Sequence, residues 1–379
     1  MVAKAFVNKR SLAVAGLLLA AGVALATVAQ PPVSGLAEAD KRPALSTAFG
    51  THAAVLDVAQ AGARLVAVGE RGLVLLSDDQ GKSWQQAEVP VSVSLTSVSF
   101  VDDQFGWAAG HYGMILATRD GGRHWEVQMD GSRAAQLVLE DVSQRAAGSS
   151  DPRVLRAVGN AQRMVDDGPD KPFLDIHFSD RQHGLVVGAY GLIFATDNGG
   201  SSWTPLNGQI DNPGERHLYS IARADGALWL AGEEGLVFRA DATRPLQFER
   251  LSTPYDGSFF TVTAGNGRVV VAGLRGNAFE SVDNGENWQP LSVPSEASIV
   301  ASSLAANGDL LVVNQAGQLL GALAGNTELA ALGNPPVMAP SSLVRLADGS
   351  LLLGGLQGLA HVNSAVAGHG SSTASGAGH

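Results

Sequence analysis

Three sets of side chains in this 379-residue chain have the chemistry and the spacing to act on something. Short glycine-flanked segments carry Glu70 with Arg71, His111 with Tyr112, Tyr190, Glu233 with Glu234, and Arg275. Four acids or amides, Asp79, Asp120, Asn198 and Asp283, each stand five residues before a tryptophan: Trp84, Trp125, Trp203 and Trp288. A third set is basic, with Arg153, Arg156 and Arg163 in one segment. Paired carboxylates suggest glycoside hydrolysis, which in its inverting form needs carboxyl groups about 6.5–9.5 Å apart and in one retaining variant uses a tyrosine nucleophile. Spread over a surface, the same residue types serve recognition instead, because aromatic and arginine side chains carry much of the energy of protein interfaces. Which chemistry applies depends on where the chain places them.

Placement is set by a repeat. A short apolar run ends in Gly-x-x-Gly and is followed by a second apolar run, seven times in all. The second glycine falls at Gly72, Gly113, Gly191, Gly235, Gly276, Gly317 and Gly358, with gaps of 41, 78, 44, 41, 41 and 41 residues. In the sixth copy Asn314 replaces the first glycine, and asparagine also tolerates positive φ. Each copy reads as four short strands; in the second these are 95–100, 106–110, 114–118 and 124–129. Alternating β-branched and aromatic residues mark the strands, and Asp, Gly and Asn mark the turns. Four strands in about 41 residues is the period of a propeller blade. The expected fold is therefore all-β: a seven-bladed propeller of four-stranded blades over residues 48–365, with its edges removed by ring closure.

Four of the third-to-fourth strand turns read Ser/Thr-x-Asp/Asn-x-Gly-x-x-Trp: Ser77–Trp84, Thr118–Trp125, Thr196–Trp203 and Ser281–Trp288. An Asp or Asn at the third position can accept backbone N–H groups across the turn, and the tryptophan folds back over it. These Asp boxes are thereby occupied by their own hairpins, which makes them architectural.

The Gly-x-x-Gly turns combined with Thr-x-Asp-Gly-Gly-x-x-Trp at Thr118–Trp125 resemble the photosystem II assembly and stability factor family, within the Asp-box (BNR-repeat) propellers. The resemblance implies a non-enzymatic assembly or accessory factor that binds a membrane-protein subunit or a transporter. An insertion in blade two and a rim that is not uniformly basic point to a bacterial, non-photosynthetic member. Asp boxes also mark sialidases. The Arg-Ile-Pro signature of those enzymes is absent, and only Tyr112 and Tyr190 of the four tyrosines fall on the face where a nucleophile would stand.

Chain direction alternates along a blade. Turns between second and third strands therefore share one face with the blade-to-blade linkers, and the Asp boxes share the opposite face with the first-to-second turns. The Gly-x-x-Gly interiors, Glu70 and Arg71 through Arg275, thus ring the channel mouth. The 78-residue gap is one period plus 37 residues, and it puts an insertion (131–171) on that same face. A helix is expected over 134–147 and a second from Asp151–Pro152 to Gly168–Pro169. In the second, Val154, Leu155, Val158, Gln162 and Val165 share one side, with Arg153, Arg156 and Arg163 on another. Such a helical pair serves either as a lid on its own blades or as a docking element for a protein partner.

Lys4, Lys9 and Arg10 precede an uncharged apolar stretch from Ser11 to Ala29, so residues 1–29 read as a secretory signal peptide or a retained N-terminal membrane anchor. Both place the remainder outside the cytoplasm, in a periplasm. Removing 1–29 takes three of the 25 basic residues and none of the 36 acidic ones, which leaves a net charge of −14. That balance argues against nucleic acid or anionic lipid as partner. With no cysteine there are no disulfides or thiolate sites, and His177 and His183 lack the companions a metal would need. No cofactor motif is present. Residues 30–47 are a lead-in, Pro43–Phe49 is expected to supply the missing outer strand of blade seven, and 366–379 form a Gly/Ser/Ala tail.

Overall fold

Residues 38–243, 246–332 and 339–362 are described by the computed structural model. The N-terminal segment 1–29 and the tail 366–379 lie outside them. Each repeat folds into an antiparallel sheet whose strands follow one another in sequence order. Six sheets have four strands, and the seventh has three among the described residues. The first strands of successive blades (Val55–Ala61, Leu95–Phe100, Phe173–Phe178, Leu218–Ala224, Phe259–Gly265, Ile299–Leu304 and Pro340–Arg345) touch one another in an unbroken ring, the last packing back on the first. Second strands are the most deeply buried: no residue of Ala227–Gly232 or of Arg268–Gly273 is exposed. Apolar side chains from adjacent blades pack between sheets, as where Trp107 of blade two stacks on Phe178 of blade three at 3.5 Å between ring centroids.

All seven inner strands share a bulge one residue after their start, which leaves Leu56, Thr96, Leu174, Tyr219, Phe260, Val300 and Ser341 unpaired. A bulge disrupts the ladder and strands nearby backbone N–H groups. The next residue in most blades is Ser, Thr or Asp, and its side chain reaches the following blade. Asp57 accepts from the N–H of Val98 at 2.9 Å, Asp175 from Ile221 at 2.6 Å, and Ser220 from Val262 at 3.2 Å. Ser97 Oγ donates to Asp175 at 2.7 Å, and Thr261 bonds Ser302 at 2.7 Å. Blade seven closes on blade one through Ser341 Oγ to the Val55 carbonyl at 2.7 Å and Gln60 Nε2 to the Arg345 carbonyl at 3.0 Å. On the opposite face Arg64 binds Asp78 and the Gly121 carbonyl, and Arg268 binds Glu280 and the Gly308 carbonyl, again linking neighbours.

The Gly-x-x-Gly turn is fixed to its own blade. In every blade the N–H after the first glycine position donates to the carbonyl just before the inner strand, from Glu70 to Ala54 round to Leu356 to Ala339. This contact brings the backbones so close that a Cβ on Gly69 would stand 2.0 Å from the Ala54 oxygen, and one on Gly273 2.2 Å from the Ser258 oxygen. The second interior residue is left-handed in five blades: Arg71, Tyr112, Tyr190, Glu234 and Arg275 have φ between 51° and 60°. A side chain at such a φ costs about 1–2 kcal/mol relative to right-handed backbone.

Residues 43–49 do not complete blade seven. The Ala44 N–H donates to the Val89 carbonyl at 3.0 Å, and the Gln86 side chain exchanges bonds with the backbone of Thr47 and Leu45 at 2.9 and 3.0 Å. The outer strand of blade one is only Gln85–Gln86, so the lead-in satisfies the polar groups that follow it. The insertion forms two helices, α1 (Gly131–Ala146) and α2 (Pro152–Asp167), each capped by an aspartate, Asp130 and Asp151. Ala134, Ala135, Val138 and Val142 of α1 are buried, three of them in one cluster with Phe173, Phe194 and Trp203, whereas α2 buries only Ala161 fully. Leu155, expected on the inner side of α2, is 52% exposed, because Ala157, Ala161 and Met164 occupy that side instead.

Two predictions follow from the ring and its turns. Enclosure by the inner ring pushes the Asp57 carboxyl up to about 7, against hydrogen bonds from Val98 and Val58 that pull it down. An acid whose folded pKa lies above its unfolded value favours the fold at low pH and loses that contribution as pH rises through the folded value. Asp57→Asn is therefore expected to gain about 2–3 kcal/mol relative to wild type between pH 5 and pH 8, measured by urea midpoints. An unchanged difference would show that the carboxyl is already ionised at pH 5. Separately, Gly273→Ala is expected to cost about 2 kcal/mol or more through the Ser258 clash, while Arg275→Gly leaves Tm unchanged or raised. Calorimetry of both variants checks the pair.

Candidate partner-binding face

The structure places the rim residues on one face but spaces them around the ring, one pair to a blade. Arg71, His111, Tyr112, Glu234 and Arg275 are exposed. Glu70 and Glu233 are half-buried because each first serves its own blade: Glu70 accepts from the Ala54 N–H at 3.2 Å and Glu233 from the His217 N–H at 2.8 Å. Glu234 is paired with Arg216 at 2.7 Å. The α2 arginines are less free than their number suggests. Arg153 pairs with Asp151 at 2.9 Å and Arg163 bonds the Asn160 side chain, leaving Arg156 without an ion pair among the described residues.

One part of the face draws side chains together. Tyr190, His217, Tyr219 and Phe260 form a run of edge-to-face rings across blades three to five, with centroid spacings of 5.2, 6.1 and 5.3 Å. Glu233 lies beneath it, accepting the Tyr219 hydroxyl at 3.2 Å with the His217 Nδ1 3.5 Å away. At the outer end the Lys171 ammonium sits 5.4 Å from the Tyr190 centroid, held by Asp167 and Asp170. Beside Tyr190 a groove of about 600 Å³ runs between α1, α2 and residues 207–215. Sequence reasoning anticipated Tyr190 and Glu233 but missed His217, Tyr219, Phe260 and Lys171. The signal was there: Tyr219 and Phe260 occupy the bulge position of an apolar-x-Ser/Thr-apolar pattern that recurs in the inner strands.

The hairpins of the opposite face are self-contained. Asp79 accepts from the Ser83 N–H at 2.8 Å and the Ser83 hydroxyl at 2.6 Å, and these bonds hold its carboxyl near 2. Trp84 and Trp125 return their indole N–H to Gly81 and Gly122 at 3.0 and 2.8 Å. Asn198 and Asp283 repeat the pattern toward Ser202 and Asn287, below Trp203 and Trp288. Of the two histidines weighed for metal binding, His183 pairs with Asp180 at 2.8 Å, and burial together with the Arg223 charge pulls His177 down to about 4.

The Tyr219–Glu233 pair has the composition a tyrosine nucleophile would need, but its electrostatics run the wrong way. Burial and the Glu233 charge push the phenol up to about 12, so it stays protonated as a donor. The arrangement offers contacts for binding: a fixed carboxylate, exposed and half-buried aromatic rings and exposed charges lie on one surface.

Comparison with known proteins bears on the family and the fold. The family model for the photosynthesis system II assembly factor YCF48 matches residues 76–148 and 157–328. The photosystem II assembly lipoprotein Ycf48 of Synechococcus sp. (strain CC9902) is 27% identical over 175 residues, covering 45% of this chain and 52% of that protein. The immune protein Tsi7 of Pseudomonas aeruginosa is 32% identical over 153 residues, covering 38% and 46%. The chain thus spans about half the length of these curated relatives. Among solved structures, YCF48 bound to a D1 peptide superposes with a TM-score of 0.60 at 16% identity, covering 84% of this chain and 98% of that one. YCF48 from Cyanidioschyzon merolae gives 0.58 at 14% identity, covering 82% and 95%. With a fold of seven antiparallel sheets and a family model matching well over half of its residues, this chain belongs to the YCF48 family of photosystem II assembly factors.

Proposed function

We propose that the protein is a non-enzymatic binding scaffold outside the cytoplasm, which holds a membrane-protein subunit or transporter during assembly. The observation that carries this reading is the concentration of exposed charged and aromatic side chains at left-handed turn positions in five consecutive blades, all on the face that also bears the insertion. Backbone strain at positions where glycine would cost less points to side chains kept for contact. The family supports the same use, since a related structure is of YCF48 bound to a D1 peptide. Export rests on the basic and apolar pattern of residues 1–29 and on a relative named a lipoprotein. Among the described residues no helix is long and apolar enough to cross a membrane, so anchorage would fall to the N-terminal segment. This chain has no cysteine to carry a thioether-linked lipid.

A second reading, a protein partner other than a membrane subunit, is favoured by the 32% identity to a chain named an immune protein. Affinity capture from separated membrane and soluble fractions of the source organism distinguishes the two. The wild type is expected to retain membrane-protein subunits. A Tyr112→Ala/Tyr190→Ala/Arg275→Ala variant is expected to lose them at least tenfold by quantitative mass spectrometry, while Lys82→Ala/Arg123→Ala/Glu286→Ala on the opposite face keeps them. Retention by the first variant, or partners found only in the soluble fraction, would overturn the membrane-client reading.

A further inference from the structure

We infer that Glu233 and the rings of Tyr190, His217, Tyr219 and Phe260 form a recognition site for a cationic side chain, arginine or lysine, of the polypeptide this face binds. The inference rests on the proposed polypeptide-binding role of the face and names what one part of it selects.

Glu233 is the starting point. A carboxylate has about four lone-pair directions. Here the backbone N–H of His217 and the hydroxyl of Tyr219 take two of them, at 2.8 and 3.2 Å. These bonds fix the group without neutralising it. Its neighbour Glu234 has a permanent partner in Arg216 at 2.7 Å, whereas no lysine or arginine pairs with Glu233 among the described residues. Among the described residues the basic atom within pairing distance is His217 Nδ1 at 3.5 Å, and the Arg216 charge also acts on the carboxylate from beside Glu234.

The rings supply the walls. In an edge-to-face contact one ring offers its edge rather than its π-face, and π-faces attract cations; Tyr190 is exposed and His217, Tyr219 and Phe260 are half-buried. Tyr219 and Phe260 stand at bulge positions of two adjacent inner strands, which turns them out of the ladder at the end nearest the Gly-x-x-Gly face. The run already holds one cation of its own, because the Lys171 ammonium lies 5.4 Å from the Tyr190 centroid. Carboxylate and rings together suit a guanidinium or ammonium, with charge-assisted hydrogen bonds on one side and cation–π contact on the other. A neutral amide would gain neither. The chain's net charge of −11 favours the approach of a basic segment, but that long-range field cannot choose among sites.

The test separates site from field. Fluorescence anisotropy of a dansylated (Gly-Ser-Arg)3 peptide is measured beside its (Gly-Ser-Gln)3 and (Gly-Ser-Glu)3 counterparts. Wild type is expected to bind the arginine peptide at least tenfold more tightly than either. Glu233→Gln, which keeps a carbonyl acceptor for the His217 N–H and leaves the Tyr219 hydroxyl to accept from the amide instead, is expected to weaken arginine-peptide binding about tenfold. Phe260→Leu should weaken it about threefold, and the remote Glu126→Gln, which removes the same charge, less than twofold. Unchanged melting temperatures establish that the variants are folded. Equal losses for Glu233→Gln and Glu126→Gln, or equal binding of the glutamine peptide, would overturn the site. If client capture depends on Tyr112, Tyr190 and Arg275 while arginine-peptide binding ignores Glu233, the binding face stands and the cation site falls. If arginine-peptide binding needs Glu233 but those three substitutions leave capture intact, the cation site stands and the client reading falls.

Discussion

The structure depends on how seven inner strands with a shared irregularity are joined. A bulge near the start of each strand would leave backbone donors facing a narrow lumen, where an unmet N–H costs about 1–3 kcal/mol. The chain answers with the side chain of the preceding blade, as Asp57 does for Val98 and Asp175 for Ile221. Blades two, four and five are thus completed by the blade before them. Burying carboxyls in such positions has its own cost, visible in Asp175, whose carboxyl is pushed up to about 6. Serine and threonine do similar joining at Ser220 and Thr261 without a charge to desolvate.

The same irregularity builds the candidate site. The unpaired residue leaves the ladder at the end of the strand nearest the Gly-x-x-Gly turns, where Thr96 and Ser341 bond the next blade and Tyr219 meets the Phe260 ring. In blades one and three it is leucine; in blades four and five it is Tyr219 and Phe260. Next to them the Gly-x-x-Gly turns hold Tyr190, Glu234 and Arg275 at left-handed φ, where glycine would be less strained. Architecture and the proposed recognition therefore use neighbouring atoms: Glu233 fastens its turn to the inner strand with one oxygen and faces Tyr219 with the other.

Much of this was legible in the residues. Glycine spacing revealed the blade count and their strand order, because a tight turn admits few alternatives. Asp151–Pro152 marked the start of α2 through capping chemistry, whereas α1 begins at Gly131 behind Asp130, three residues before the expected 134. What stayed hidden involved contacts between blades. The partners of Asp57 and Ser97 lie 41 and 78 residues away, and no local propensity encodes them. The fate of residues 43–49 was missed for a related reason. An extended segment fits any sheet edge, and only the shortness of the Gln85–Gln86 strand determined that it would lie along blade one. Leu155 misled because hydropathy cannot tell which side of an amphipathic helix faces a neighbouring helix when small residues allow closer approach.

The insertion shows where such a ring can grow. It enters a linker, a place where no sheet ladder is interrupted, so its thermodynamic cost is the entropy of closing a longer loop. Lengthening a connection from about five residues to about forty is three doublings, roughly 2 kcal/mol. The apolar side of α1 more than offsets that by covering Phe173, Phe194 and Trp203. Any of the other linkers on this face offers comparable terms, so this kind of propeller can acquire new appendages at its rim by short genetic insertions while its blades stay as they are.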